Sequence, residues 1–170
     1  MNDLIKSSLE KLKEKNISNA EIDLRVLLNY SKYSKNEIIL SNFDLNQINI
    51  DLFKKILDRR LSKEPISKII NKKNFWKDEF YVNEFVLDPR PETEGIVEES
   101  IKLIKNKNSN IKILDIGTGS GALAISLARE FINASIMAID ISEEAIKVAN
   151  LNIKNKKLNN QIQLRKITLD

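Results

Sequence analysis

Histidine and cysteine are both absent from this 170-residue sequence. Zinc sites built on those ligands, thiolate nucleophiles, Ser-His-Asp triads and disulfides are therefore excluded within it, and no metal site is expected. A lack of cysteine is compatible with a reducing compartment, and a cytoplasmic location is the expectation. No apolar run is long enough to cross a bilayer. The opening residues, Met1-Asn2-Asp3-Leu4-Ile5-Lys6, have no basic region leading into an apolar core, so no signal peptide is expected. Neither sign of charge dominates. There are 16 basic and 14 acidic residues up to Asp88, and 12 and 10 after it, for a net +4. No basic lobe is visible, so nucleic acid is not an expected partner, and Lys154, Lys156 and Lys157 read as solvated helix ends.

Glycine is also scarce, and that makes its distribution informative. Three of the four glycines fall within five residues of the run Ile113-Leu114-Asp115-Ile116-Gly117-Thr118-Gly119-Ser120-Gly121-Ala122. An apolar strand ends there, a turn too tight for side chains follows, and a helix begins with Leu123, Ile125, Leu127 and Ala128. Such a turn lets backbone N–H groups approach a ligand at a helix N-terminus. A second apolar run, Ser135 to Ile139, ends in Asp140, about 20 residues on, where a ribose-binding acid belongs. Two nucleotide chemistries fit. Gly117, Gly119 and Ala122 satisfy the dinucleotide fingerprint of an NAD enzyme. Asp115, two residues before the first glycine, and the extra Gly121 favour the Asp-x-Gly-x-Gly-x-Gly pattern, which resembles motif I of class I S-adenosylmethionine-dependent methyltransferases.

Upstream, the stretch Asn74 to Glu94 reads, ahead of its prolines, as two short strands rich in aromatic and β-branched residues. Asp88-Pro89-Arg90-Pro91-Glu92-Thr93-Glu94 follows as a rigid turn into a helix. Pro91 suits its first position, and Glu92 and Glu94 fall in its first turn, favourably placed for the helix dipole. Val97, Ile101 and Ile104 continue it at helical spacing. Ser142 is placed to cap another helix carrying Glu143, Glu144, Ala145, Val148 and Ala149, and Gln161 to Arg165 alternate as a strand does. Strand–helix–strand–helix–strand implies a parallel sheet whose ligands sit at the carboxyl ends of the strands.

Residues 1–70 are different in kind. Ile5, Leu9 and Leu12 recur at helical spacing, as do Ala20, Leu24, Leu27 and Leu28, and then Phe53, Ile56, Leu57 and Leu61. Ser18 with Glu21, and Ser34 with Glu37, have capping-box spacing. This part contains no glycine and a single proline, Pro65. A helical bundle is expected over 1–70 and an α/β domain over 71–170, with the boundary near residues 64–74.

Taken together, the Phe75-Trp76 hairpin, Pro89-Arg90-Pro91-Glu92-Thr93-Glu94, a helix and Leu114-Asp115-Ile116-Gly117-Thr118-Gly119-Ser120-Gly121-Ala122 resemble the release factor glutamine methyltransferases. That resemblance implies a small helical domain that helps bind the protein substrate, followed by the first part of a Rossmann-like parallel sheet, truncated relative to the full fold. It implies S-adenosylmethionine as cofactor, with Gly117, Thr118, Gly119, Ser120 and Gly121 around it, Asp140 on its ribose and Asp115 at its methionyl end. Arg90 and Glu92 are weaker candidates for lining the site. The expected activity is methyl transfer to the side-chain amide of the glutamine in the Gly-Gly-Gln motif of peptide chain release factors. A methyltransferase of nucleic-acid bases or of another protein, and a non-catalytic binding fragment, are the alternatives. The family's Asn-Pro-Pro-Tyr motif follows a fourth strand, and no Asn-Pro pair occurs in these residues. No catalytic residue is therefore assigned here. A fragment or an inactive truncated product is expected, with open sheet edges and an uncovered core face. Ile70-Asn71-Lys72 and Asp88 depart from the Thr-Gly-Glu stretch and the apolar residue usual in the family.

Overall fold

The computed structural model describes residues 3–33 and 44–168. The expected Ser34–Glu37 cap lies outside them. The chain divides into two compact units, Met1–Ile70 and Asn71–Asp170.

The first unit contains α1 (Asp3–Glu14), α2 (Ala20–Ser31), a 3₁₀ turn at Leu45–Gln47, α3 (Ile50–Leu61) and the short α4 (Ile66–Ile70). Their apolar stripes converge on a core that includes Ile5, Leu12, Leu24, Leu27, Leu28, Phe53 and Ile56. Burying such a side chain is worth about 1.5–3 kcal/mol, so these faces drive the packing. Asn49 starts α3 by accepting the Leu52 N–H at 3.0 Å. The Ser18–Glu21 capping box does not form. The N-cap of α2 is Asn19, which makes no side-chain cap bond, and Glu21 instead pairs with Lys13 at 3.1 Å. Arg60 of α3 meets Asp23 of α2 at 2.7 Å, both largely buried.

The second unit opens with an antiparallel hairpin, β1 (Lys72–Phe75) and β2 (Asp78–Tyr81), with Phe75 opposite Asp78. Its turn puts Trp76 at a φ of +53°, a left-handed conformation that is uncommon for a bulky residue. Two carboxylates hold it there: Glu94 accepts the Trp76 backbone N–H at 2.8 Å, and Glu130 accepts the indole Nε1–H at 2.9 Å. Helix α5 (Pro91–Leu103) then starts with proline at its N-terminus, as the sequence predicts, and Ile104 serves as its C-cap.

Strands β3 (Lys112–Ile116), β4 (Ser135–Asp140) and β5 (Ile162–Lys166) form a parallel sheet in the order β3-β4-β5. Helices α6 (Ala122–Glu130) and α7 (Glu143–Asn155) are the crossovers. The register pairs Ile113 with Ile136 and Ile136 with Ile162. One face, carrying these three and Ala138, packs on Ala124, Ile125, Ala128 and Ile153 of the two helices. Leu114 and Ile116 point to the opposite side, because successive strand residues alternate, and remain 57% and 60% exposed. Lys156 is not a solvated helix end. Its ammonium is 2.9 Å from Asp78 and lies over the Phe80 ring.

Candidate functional site

The carboxyl ends of β3 and β4, the N-terminus of α6 and the segment Phe85–Arg90 enclose a cavity of about 500 Å³, within the 300–1,000 Å³ range of ligand pockets. Gly117, Thr118, Gly119, Ser120, Asp115 and Asp140 line it, as do Leu87, Asp88, Arg90 and Thr93. Gly121 and Glu92 are not on its wall.

The three glycines have different roles although all take positive φ, +75°, +55° and +79°. A Cβ at Gly117 would meet nothing within 4 Å, and one at Gly119 only the Gly117 carbonyl oxygen at 4.0 Å. Both leave room for a ligand to approach the backbone. A Cβ at Gly121 would lie 3.3 Å from that of Ala149, so Gly121 serves the close approach of α6 to α7.

Most N–H groups of the turn are already committed. Gly117 and Thr118 donate to the Ile139 carbonyl at 2.9 and 3.0 Å, and Gly121 donates to the Thr118 carbonyl at 2.8 Å. Gly119 donates to Asp140 Oδ2 at 2.9 Å, while Asp140 Oδ1 accepts the Ser142 N–H at 2.9 Å. Ser142 in turn caps α7, accepting the Ala145 N–H at 3.2 Å. Asp140 thus ties β4 to the glycine turn and to the start of α7. Each of its oxygens keeps a second lone pair for a ligand hydroxyl.

Asp115 is buried beneath the turn. Its carboxylate accepts the Thr118 hydroxyl at 2.7 Å and the Ala124 N–H in the first turn of α6. Burial pushes its pKa above the ordinary carboxylate range, the two hydrogen bonds oppose that, and the nearby Asp140 charge adds to it. The protein's own carboxylate therefore occupies the helix N-terminus, where a dinucleotide-binding turn would hold a pyrophosphate. With Asp88, Asp115 and Asp140 on the wall against Arg90, the cavity suits a ligand carrying positive charge better than a pyrophosphate.

Two structural residues of this region gave no sequence signal. Asn152 of α7 bonds Tyr81 and Ser120 across the unit. Glu130, at the end of α6, gathers Trp76, Lys77 and Lys107. Each partner is at least 23 residues away along the chain, beyond the reach of any local pattern.

The parallel βαβαβ arrangement with a glycine turn and an acid after the second strand is that of a methyltransferase domain, and residues 107–168 match the family model described as "Methyltransferase domain". Relatives narrow this. The chain is 39% identical over 149 residues to a "Release factor glutamine methyltransferase" of Buchnera aphidicola, covering 86% of the chain and 53% of that protein. A protein of the same description from Dictyoglomus turgidum is 38% identical, covering 90% of the chain and 54% of that protein. A "Bifunctional methyltransferase" of Rickettsia felis is 35% identical, covering 95% of the chain and 36% of that protein. Over most of its length the chain is thus similar to release factor glutamine methyltransferases, and it fits their N-terminal portion. It spans about half the length of the release factor relatives and about a third of the bifunctional one.

Proposed function

We propose that this chain forms the cofactor-binding part of a cytoplasmic methyltransferase that uses S-adenosylmethionine to methylate the glutamine side chain of peptide chain release factors. The acidic cavity at the ends of β3 and β4 carries this reading, and the names of the relatives supply the substrate. When bound, S-adenosylmethionine supplies an electrophilic methyl group, so the protein's work is binding, orientation and exclusion of water. Gly117 and Gly119 leave room for the ligand, Thr118 and Ser120 border it beside them, and Gly121 holds the turn against α7. Asp140 accepts the ribose hydroxyls on lone pairs left over from Gly119 and Ser142. Asp115 sets the negative potential at the methionyl end, and Arg90 lines the opposite wall. Helices α1–α4 form the domain that contacts the release factor. No residue of this chain is assigned to polarising the amide.

Calorimetric titration of the 170-residue protein with S-adenosylmethionine and with NADH tests the ligand. Binding of the former alone is expected, and NADH preference would refute it. Transfer of labelled methyl by the whole protein to a release factor, rather than to RNA, tests the substrate.

A further inference from the structure

We infer that Asn152 is the residue that positions the two walls of the cavity against each other; the inference concerns the same site and builds on the ligand proposed for it. Asn152 is 2% exposed, on α7, and does not line the cavity. Its Nδ2 donates to the Ser120 carbonyl at 2.8 Å and to the Tyr81 carbonyl at 2.9 Å, and its Oδ1 accepts the Tyr81 N–H at 2.9 Å. Two carbonyls and one N–H around a single amide allow only one orientation of it, and both Nδ2 protons are used.

The bond to Ser120 has a specific mechanical meaning. The peptide between Ser120 and Gly121 is held at both ends: its N–H donates to the Thr118 carbonyl at 2.8 Å, and its C=O accepts from Asn152. The residue after that peptide is a glycine at φ +79°, for which negative φ is as accessible as positive. Without Asn152 the peptide keeps only its N–H bond to the Thr118 carbonyl, so the turn gains freedom at Ser120 and, through it, at Gly119 and its bond to Asp140. The paired bonds to Tyr81 act on the other wall. Tyr81 ends β2, and the chain leaving it packs Val82 and Val86 on Ala145 and Val148 of α7 before reaching Leu87 and Arg90. One side chain thus sets the register between the glycine turn and the segment opposite it. Its own Cβ contributes nothing to the cavity surface, so any effect on binding acts through the backbone of others.

The test compares Asn152→Asp and Asn152→Leu with Ile153→Val, a neighbouring core substitution on α7. Hydrogen exchange of the Gly117–Leu123 amides, with no ligand present, is expected to rise about tenfold in the Asn152 variants and not in Ile153→Val, consistent with loss of one buried hydrogen bond. S-adenosylmethionine affinity is expected to fall by about the same factor in the Asn152 variants alone. Asn152→Asp carries a further signature. A carboxylate there faces two carbonyl oxygens, whereas the neutral acid has one O–H to donate, so its affinity relative to wild type recovers as pH is lowered and Asn152→Leu shows no such recovery. Unchanged exchange in the turn, or an affinity loss shared by Ile153→Val, overturns the inference. Should the wild type bind no S-adenosylmethionine, the proposed ligand fails while the exchange comparison still decides the role of Asn152. If neither Asn152 variant folds, the wild-type Asn152 side-chain amide protons decide: slow exchange supports the inference, and fast exchange refutes it.

Discussion

Asp140 Oδ2 lies 2.9 Å from the Gly119 nitrogen, so the last residue of β4 closes the turn that follows β3. Asp115, one strand away, takes the Thr118 hydroxyl and the Ala124 N–H from beneath the same turn. The two carboxylates hold one loop from two sides, yet their energetics differ. Asp140 is half-buried and bonded to two backbone donors, whereas Asp115 is buried and its charge is disfavoured.

Neutralising them therefore has different consequences. Asp140→Ala removes acceptors from Gly119 and Ser142 and is expected to cost about 1–2 kcal/mol of stability and to lower S-adenosylmethionine affinity roughly tenfold. Asp115→Asn keeps an acceptor for Ala124, and the Thr118 hydroxyl can turn to accept from the new amide. The folded-state pKa of Asp115 is raised, so the wild type loses stability as pH climbs from the ordinary aspartate range through the raised value. Asp115→Asn is expected to lack that loss and to sit within about 1 kcal/mol of wild type at pH 7. Chemical denaturation of both variants across pH measures this, and an Asp115→Asn deficit that grows with pH would contradict it.

The glycines separate in a similar way. Gly121→Ala places a Cβ 3.3 Å from Ala149 at a φ of +79°, adding crowding between helices to the left-handed penalty of about 1 kcal/mol. Gly117→Ala meets open space and incurs only the backbone term. Expected losses are about 2 kcal/mol for the first and about 1 kcal/mol for the second, with the larger loss of ligand affinity at Gly117, which lines the cavity. Thermal unfolding paired with titration checks whether the stability order and the affinity order are indeed opposite.

The elements that position this site were legible where a local rule determines them. The apolar runs ending in Asp115-Ile116 and Asp140, the glycine turn between β3 and α6, Pro91 at the start of α5 and Ser142 as the cap of α7 each depend on residues within four positions. What the sequence could not indicate was where polar groups would turn. The three glycine N–H groups of the turn, expected to face a ligand, all bond within the protein, to Ile139, Asp140 and Thr118. Lys156 reads as a solvated helix end because its partners, Asp78 and Phe80, are far away in sequence. Ser18 was one residue out of place because Asn19, an equally good cap type, takes the N-cap position.

Glu130 makes acid sensitivity predictable. Hydrogen bonds from Lys107, Lys77 and Trp76, in that order of effect, pull its pKa down to about 2, while its burial works against them. A carboxylate depressed in the folded state stabilises the fold above its unfolded pKa, near 4.5, and that stabilisation is lost as pH falls from there toward 2. Both lysines are half-exposed or more, so screening limits the contribution to no more than about 2 kcal/mol. Glu130→Gln is expected to lose this amount at pH 7 and to converge with wild type near pH 2–3. Parallel unfolding curves at pH 7 and pH 3 measure it, and a constant gap at the two values would contradict the assignment.

The last prediction concerns the sheet face that α6 and α7 do not cover. Parallel sheets are ordinarily buried on both sides, yet Leu114 and Ile116 are more than half exposed, and exposed apolar side chains grouped in this way promote association. Leu114 lies outside the cavity wall, so Leu114→Lys places a charge in solvent without touching the site. Its long methylene stem can lie along the neighbouring strand. Expected is a stability change within about 0.5 kcal/mol, unchanged S-adenosylmethionine affinity, and less self-association of the 170-residue protein at high concentration, read by sedimentation. A loss of several kcal/mol would mean that Leu114 is buried in the folded protein in solution, contrary to its exposure in this structure.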